Sequence, residues 1–412
     1  MNEKVRVILA SVIAVVMLLF SYWVTNQRYA VSGETGLFYK LELIRGWFAP
    51  PGNQMTDSVL LVDVAHDKVA VGVNDEQGVP AGYGQITDRQ KLTQLLTELK
   101  RRNDYKYILL DVLFADDIHT DADSALFSLI ESMDRIVIPS DLNCQLADER
   151  LYKKAGLANY FTNYKYVSLA KYPYMVDGQK SLPLMMYEEM TGRHISSHSF
   201  FSTDGWRLAR ENIVLTFELR CTSPYSDNGE KTWYNLGMDL LGSSFAYSCD
   251  TIKGNRELYD NPELTKDKYI VVGALSNGDM HYSYLGNQPG STILFNAYLA
   301  LLHGHHWISW GVALLLFVAF FILGYLIVGG QTMDAFIMLK ITGKSRWSKA
   351  GQRMLSVIVS WVGYSMFLTI LCIITYMWMG EVYDIFITAT VFQLLNIISN
   401  YIYKLKKKYH HA

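Results

Sequence analysis

Three carboxylates and one imidazole stand where chemistry is most easily placed in a chain of this kind. Asp63 closes the run SVLLVDV (58–64), and Asp111 closes YILLDV (107–112). Asp279 and His281 follow YIVVGA (269–274). Each run is aliphatic and β-branched, with the length of a buried strand. In an open parallel sheet, ligands collect outside the carboxyl ends of the strands. Carboxylates there can bind a cation, orient a polar ligand or move protons, and an imidazole extends that work to neutral pH. Each aspartate alone is more often a brace that accepts backbone N–H bonds, and a lone His–Asp pair is more often a structural hydrogen bond. Taken together, Asp63, Asp111 and Asp279 make a shared rim site as good a reading as the brace.

Other constellations carry less. Gly82-Tyr83-Gly84 lies between a strand signal and a helix signal, where a phosphate loop would sit, but position 87 is Thr and the dinucleotide fingerprint is incomplete. That stretch, with Gly72 and Gly78, reads as a loop. Asp116, Asp117, Asp121 and Asp123 crowd one loop and helix start. They lack the calcium-loop pattern, and acids at a helix N-terminus stabilise it without any ion. His410 and His411 in the tail make a poor metal site. No G-x-S-x-G, H-E-x-x-H or C-x-x-C occurs. The residues therefore assign no catalytic group, no metal and no cofactor, and the chain is expected not to be an enzyme. Of the four cysteines, Cys144, Cys221 and Cys249 precede the C-terminal apolar runs, and Cys221–Cys249 is the first disulfide pairing to test.

The elements that must position these residues alternate. After the first strand, Thr87-Asp88 offers a helix cap before Leu92, Leu95, Leu96 and Leu99 on one helical face. After the second strand, Asp121 or Asp123 can cap a helix through Ala125, Leu126, Leu129 and Ile130. Ile136–Pro139 is a third short strand, and the 269–274 run is a late strand of the same sheet. The pattern predicts an α/β domain, a mainly parallel sheet flanked by helices with right-handed crossovers. Leu184–Met190 is a short helix and Ile213–Leu219 alternates like a strand; the order of elements in 140–267 is otherwise not legible. Leu294, Tyr298, Leu301 and Leu302 form the core stripe of a helix expected to run on into the membrane.

Charge and hydropathy divide the chain. The net charge of −2 and mean hydropathy of +0.09 exclude a disordered or collagen-like chain and a nucleic-acid binder with a global basic excess. The segments 1–24 and 307–412 are net +7, and 25–306 is net −9. Uncharged apolar runs at 7–24, 307–330, 354–379 and 385–403 are each long enough to cross about 30 Å of hydrocarbon as a helix. Gln393, Asn396, Ser399 and Asn400 mark the last run as the most polar, and they are expected to face neighbouring helices. Basic residues set the orientation. Lys4 and Arg6 lie in the N-terminal segment 1–6; Lys340, Lys344, Arg346, Lys349 and Arg353 in the loop 331–353; and Lys404, Lys406, Lys407 and Lys408 in the tail 404–412. With four spans all of them fall on one side, which the positive-inside rule makes cytoplasmic. Residues 25–306 are then extracytoplasmic.

Several stretches together resemble one family, the type-two CHASE domain, an extracytoplasmic sensory module of bacterial membrane receptors. LLVDVAHDK with Asp63 is similar to its first strand, and DRQKLTQLLTELK with Arg89 to the Arg-led helix that follows. ILLDVLFADDIHTDADSAL with Asp111, Phe114 and Asp121 resembles the strand and acidic loop. IVVGALSNGDMHYSYLGNQPGSTILFNAYLALLHG, with Gly273, Asp279, His281, Gly290 and Asn296, resembles the segment entering the membrane, and SLPLMMYEEMTG a shorter piece before it. The likeness covers roughly residues 58–306. Gln85-Ile86-Thr87 stand where the family commonly has Trp-Pro-Trp, and Ser283-Tyr284 where it has Thr-Pro. Members usually carry a cytoplasmic kinase or cyclase, and none is expected here. The resemblance implies a sensor-type outer domain in a bacterial inner membrane and supplies no catalytic residues; Asp63, Arg89, Asp111, Asp279 and His281 are the residues expected to form the ligand-binding rim site. The expected ligand is a small molecule or an envelope protein, and the expected output is a separate membrane or cytoplasmic signalling partner. A structural subunit of an envelope complex is the alternative, and an outward-facing hydrolase a distant third.

Overall fold

The computed structural model describes residues 2–27, 36–41, 44, 58–74, 80–159, 169–198, 201–219, 246–248, 262–275, 279–284, 286–330, 349–379, 382–383 and 385–410. Two compact units divide at Gln27/Arg28 and His306/Trp307. In chain order the elements used below are α1 (Glu3–Thr25), β1 (Val59–Asp63), β2 (Lys68–Asn74), β3 (Pro80–Thr87), α2 (Arg89–Arg102), β4 (Tyr107–Leu110), α3 (Asp123–Glu131), β5 (Ile136–Ser140) and β6 (Ala155–Leu157). Next come β7 (Lys171–Pro173), α4 (Leu182–Thr191), β8 (Ile195–Ser197), β9 (Ser202–Asp204), β10 (Arg207–Ala209), β11 (Asn212–Val214) and β12 (Ala246–Ser248). The rest are β13 (Tyr269–Gly273), β14 (Met280–Ser283), β15 (Gly286–Pro289), α5 (Gly290–Leu302), α6 (Trp310–Val328), α7 (Lys349–Met379) and α8 (Phe386–His410).

The sheet of the larger unit is parallel throughout, in the order β1-β13-β4-β5-β6, with the short β12 on the outer edge of β1. Both faces are covered, which is why its strands read as continuous apolar runs. Leu60, Val62, Ile108, Leu110, Ile270 and Val272 point to one face and join Leu92, Leu95, Leu96 and Leu99 of α2 and Leu126, Phe127 and Ile130 of α3 in a single buried core. The alternate residues point the other way, toward the face where α5 lies against β13. Leu184–Met190 is helical as expected, within α4. The alternation of 213–219 yields only the three-residue β11, paired with β7.

Caps formed where side chains could reach backbone. Asp88 caps α2 by accepting from the N–H groups of Gln90 and Lys91. Neither Asp121 nor Asp123 caps α3. Asp123 is instead its first residue, and its carboxylate accepts from the N–H and hydroxyl of Thr120 at 2.9 and 2.8 Å. Two sequence expectations need correcting. The glycine-rich stretch after β1 is not a loop but the antiparallel hairpin β2–β3, in which Lys68 pairs with Thr87 and Gly82 (φ 139°) lies opposite Val73, beside an irregularity in the register. Glycines there hid a strand that a Cβ-based pattern would have shown. Second, the helix through Leu294 and Tyr298 does not continue into the membrane. It is buried on every side up to Leu301 and stops at His303, with Gly304 at φ 76°, before α6 starts under a Ser309 cap.

The smaller unit contains four helices long and apolar enough to cross a membrane: Glu3–Thr25, Trp310–Val328, Met354–Met377 and Phe386–Tyr403. The chain is thus a multi-pass membrane protein with an α/β domain. α1 packs on α6 through small side chains. Ala10 and Ala14 are fully buried, and Gly324 lets Ile13 and the Ala10 carbonyl approach closely. Arg6 closes the end of this pair, donating from Nε and Nη2 to the Tyr325 carbonyl at 3.1 and 3.0 Å with its guanidinium over the Tyr325 ring. In α8, Gln393 and Asn396 are buried, Ser399 donates to the Ile327 carbonyl at 3.0 Å, and Leu394, Ile397, Ile398 and Tyr401 are exposed. The polar face turns inward, as expected of a spanning helix. Cys221, Cys249, Lys340, Lys344 and Arg346 lie outside the described residues, as do the side chains of Lys349, Arg353, Lys404, Lys406, Lys407 and Lys408.

One glycine tests the α4 side of the sheet. A Cβ at Gly156 would stand 2.5 Å from Leu182 Cα and 2.6 Å from Leu182 N, which are backbone atoms without freedom to rotate away. Gly156→Ala is expected to cost about 1–3 kcal/mol, read as a lower thermal unfolding midpoint of the full chain in detergent.

Candidate functional site

Register builds the rim. Asp63 pairs with Gly273, and Val272 with Leu110, so Asp63, Gly273 and Asp111 form one row across three adjacent strands at their carboxyl ends. Residues level with each other in a parallel sheet point to the same face, and here that face meets the start of α5. A Cβ at Gly273 would lie 2.7 Å from Ser291 Cβ and 3.3 Å from Asp111 Cβ. Glycine is what allows the helix to seat against the row.

The two aspartates of the row do different things. Asp63 Oδ1 accepts from the N–H of Ala65 at 2.9 Å and of Leu275 at 3.0 Å, tying the ends of β1 and β13 together. This is the brace. Asp111 Oδ2 is buried and accepts no hydrogen bond. Burial, with the nearby charge of Asp279 second, pushes its carboxyl up to about 8. Asp111 therefore stands protonated at neutral pH, a neutral acid at the edge of the sheet.

Asp279 enters from the β13–β14 connection, where its Oδ1 lies 2.7 Å from His281 Nε2. His281 is opposite Gln288 in the β14–β15 hairpin. Lys68, at the start of β2, reaches Thr87 Oγ1 at 2.9 Å. Its ammonium is pushed down by burial and by the Arg89 charge, while Asp63, Asp279 and Asp67 favour its protonation. Lys68 was not singled out from the sequence. The signal available was a cation five residues after Asp63, just ahead of the glycine-rich stretch that starts at Gly72.

Arg89 is placed by the Asp88 cap. It is 4% exposed, its guanidinium lies 4.4 Å from the centre of the Phe114 ring, and Nε is 3.6 Å from Asp123 Oδ1. Burial pushes its pKa down, and Asp123 partly offsets that. Its Nε and Nη1 are buried without a hydrogen-bond partner. Asp67 is spent on Lys91, 2.7 Å away. Of the acidic loop, Asp116, Asp117 and Asp121 are exposed and only Asp123 is buried. Among the described residues, no three His, Cys, Asp or Glu side chains converge as metal ligands.

The structure thus brings Asp63, Asp111, Asp279 and His281 to one edge and adds Lys68 and Ser291, with the Arg89 charge acting on Lys68. Near-neutral in sum, and with buried groups lacking partners, this edge suits a small polar ligand better than a cation. A second polar cluster was also missed. His306, fully buried, lies 3.1 Å from Asp204 Oδ2, to which the Tyr187 hydroxyl donates at 2.9 Å. Burial pushes the His306 imidazole down. Together with His303–Glu218 at 2.8 Å and His305–Thr216 at 3.3 Å, it anchors the last residues of the α/β unit. The run HGHH was the sequence signal. Compared with known proteins, the chain matches no family model, no curated protein and no solved structure.

The two aspartates of the row predict opposite behaviour. Asp63→Ala leaves two backbone donors unmet and is expected to cost about 1–3 kcal/mol. Asp111 binds its proton more tightly folded than unfolded, so its contribution falls as pH rises from the ordinary carboxylate range to about 8, then levels. Asp111→Asn should remove that slope. Unfolding midpoints from pH 5 to pH 9 check both.

Proposed function

We propose that residues 25–306 form an extracytoplasmic sensory domain of the type-two CHASE kind. The ligand site is the edge carrying Asp111, Asp279, His281, Lys68 and Arg89, and occupancy is passed through the four helices to a separate signalling partner. The observation that carries this reading is the buried, unpartnered Oδ2 of Asp111 facing the start of α5 beside the Asp279–His281 pair. A scaffold needs no such group, since an unmet buried carboxyl only weakens the fold. Coupling requires that the ligand bind two domain arrangements unequally, and an uncompensated buried acid is a group whose free energy a ligand can change. The basic clusters around 331–353 and 404–412 support placing those segments in the cytoplasm.

Orientation is tested by single cysteines in a cysteine-free chain. A cysteine at His119 is expected to react with a membrane-impermeant maleimide in intact spheroplasts, and one at Gly343 only after lysis. The reverse pattern would overturn the topology. Sensing is tested in native membranes by crosslinking from a photoreactive residue placed at Gly343. A crosslinked partner whose yield changes severalfold in the Asp111→Asn/His281→Ala double variant supports the sensor. A partner held in fixed ratio and indifferent to that variant supports an assembly subunit instead.

A further inference from the structure

Three features meet where β13 ends. α5 starts with Pro289 at its N-cap position, and no side chain caps its first turn. Gly290 N–H donates to the Asp279 carbonyl at 2.9 Å, which draws the Asp279 loop onto the helix start. Such a start offers N–H donors and the positive end of the helix dipole. Ser291, the second helical residue, is 1% exposed, and its Oγ has no hydrogen-bond partner. Across Gly273 from it stands Asp111, with Oδ2 buried and unmet. Two buried polar atoms without partners, both against Gly273 at an uncapped helix start, are groups that a ligand oxygen can satisfy.

We infer that Asp111 and Ser291, at the start of α5, take the carboxylate end of a small organic acid. This rests on reading the same edge as a ligand site. The donors argue for an oxyanion: the Ser291 hydroxyl, the protonated Asp111 carboxyl and the first-turn N–H groups beyond Gly290, whose own N–H is taken by Asp279. The surrounding charge argues for a monoanion over a dianion such as sulfate. Asp63 and Asp279 stand at the same edge, and a dianion would add two negative charges to a place that already drives Asp111 to keep its proton. A carboxylate instead shares the Asp111 proton, one proton between two carboxyl groups, the arrangement like charges at close range require.

The groups facing Asp111 set the pH sign. They are Asp279 with its bonded His281 from the β13–β14 connection, Ser291 from α5, and Tyr172 from β7, whose hydroxyl burial holds neutral. Lys68 acts on Asp63 and Asp279. Binding is therefore retained while Asp111 is protonated and lost as pH rises past about 8.

The test uses the full chain in detergent, with sodium acetate and sodium propionate as probes and with sodium sulfate and sodium chloride at matched ionic strength as controls. Thermal unfolding reports binding. Acetate or propionate is expected to raise the midpoint of the wild type at pH 6.5, and the controls are not. Apparent affinity should fall about tenfold per pH unit above the Asp111 pKa. Ser291→Ala, which only removes an atom, should weaken binding at least tenfold. Asp111→Asn should keep binding and lose its pH dependence. No response to either carboxylate, an equal response to sulfate or chloride, or an equal response in Ser291→Ala would each overturn the assignment. If it falls while the Asp111→Asn/His281→Ala variant still alters crosslinking, the sensory reading stands and the ligand class is wrong.

Discussion

The α/β unit depends on one long-range pairing, the insertion of β13 between β1 and β4. Five consecutive register pairs join it to β1 and four to β4. Ile270, Val271 and Val272 are wholly buried, on both faces. Each such side chain contributes roughly 1.5–3 kcal/mol of burial, while closing a longer loop adds only about 0.6 kcal/mol per doubling. A strand arriving late in the chain therefore still belongs at the centre. With it come Gly273, which separates the two rim aspartates, and Asp279, which charges the space above them.

Once that row exists, the acids at the edge cannot all be treated alike. Asp63 is met by two backbone N–H groups, Asp67 by Lys91 and Asp123 by Arg89. Asp279 leans on His281. Asp111 has one oxygen buried without a partner and lies near the like charge of Asp279, which favours its keeping a proton. The difference between brace and candidate site is thus not one of residue type. It is decided by which backbone donors each carboxylate can reach after the strands have paired.

The membrane unit follows a different solvent. Lipid supplies no hydrogen bonds, so polar groups in a spanning helix turn toward other helices. Ser399 finds the Ile327 carbonyl of α6, while Asn400 donates to Asn396 one turn back on α8 itself, at 3.1 Å. Gly324 and the alanines of α1 serve the same packing by letting backbones approach.

Local pattern determined a good deal by itself. The four apolar runs, the alternation of strand and helix over 58–140, the Asp88 cap and the inward turn of Gln393 and Asn396 all follow from residues within a few turns of one another. It failed where glycine erased the strand pattern in β2–β3, and where Leu301 was assumed to lead straight into the membrane. Tertiary structure alone decided that β13 lies between β1 and β4, that Asp63 is a brace while Asp111 is not, and that Lys68 and Ser291 share their edge. These are matters of register between distant segments. A sequence records which residues prefer to be buried in a strand, but the strand each will lie beside is settled only when the whole sheet closes its hydrogen bonds and covers both faces.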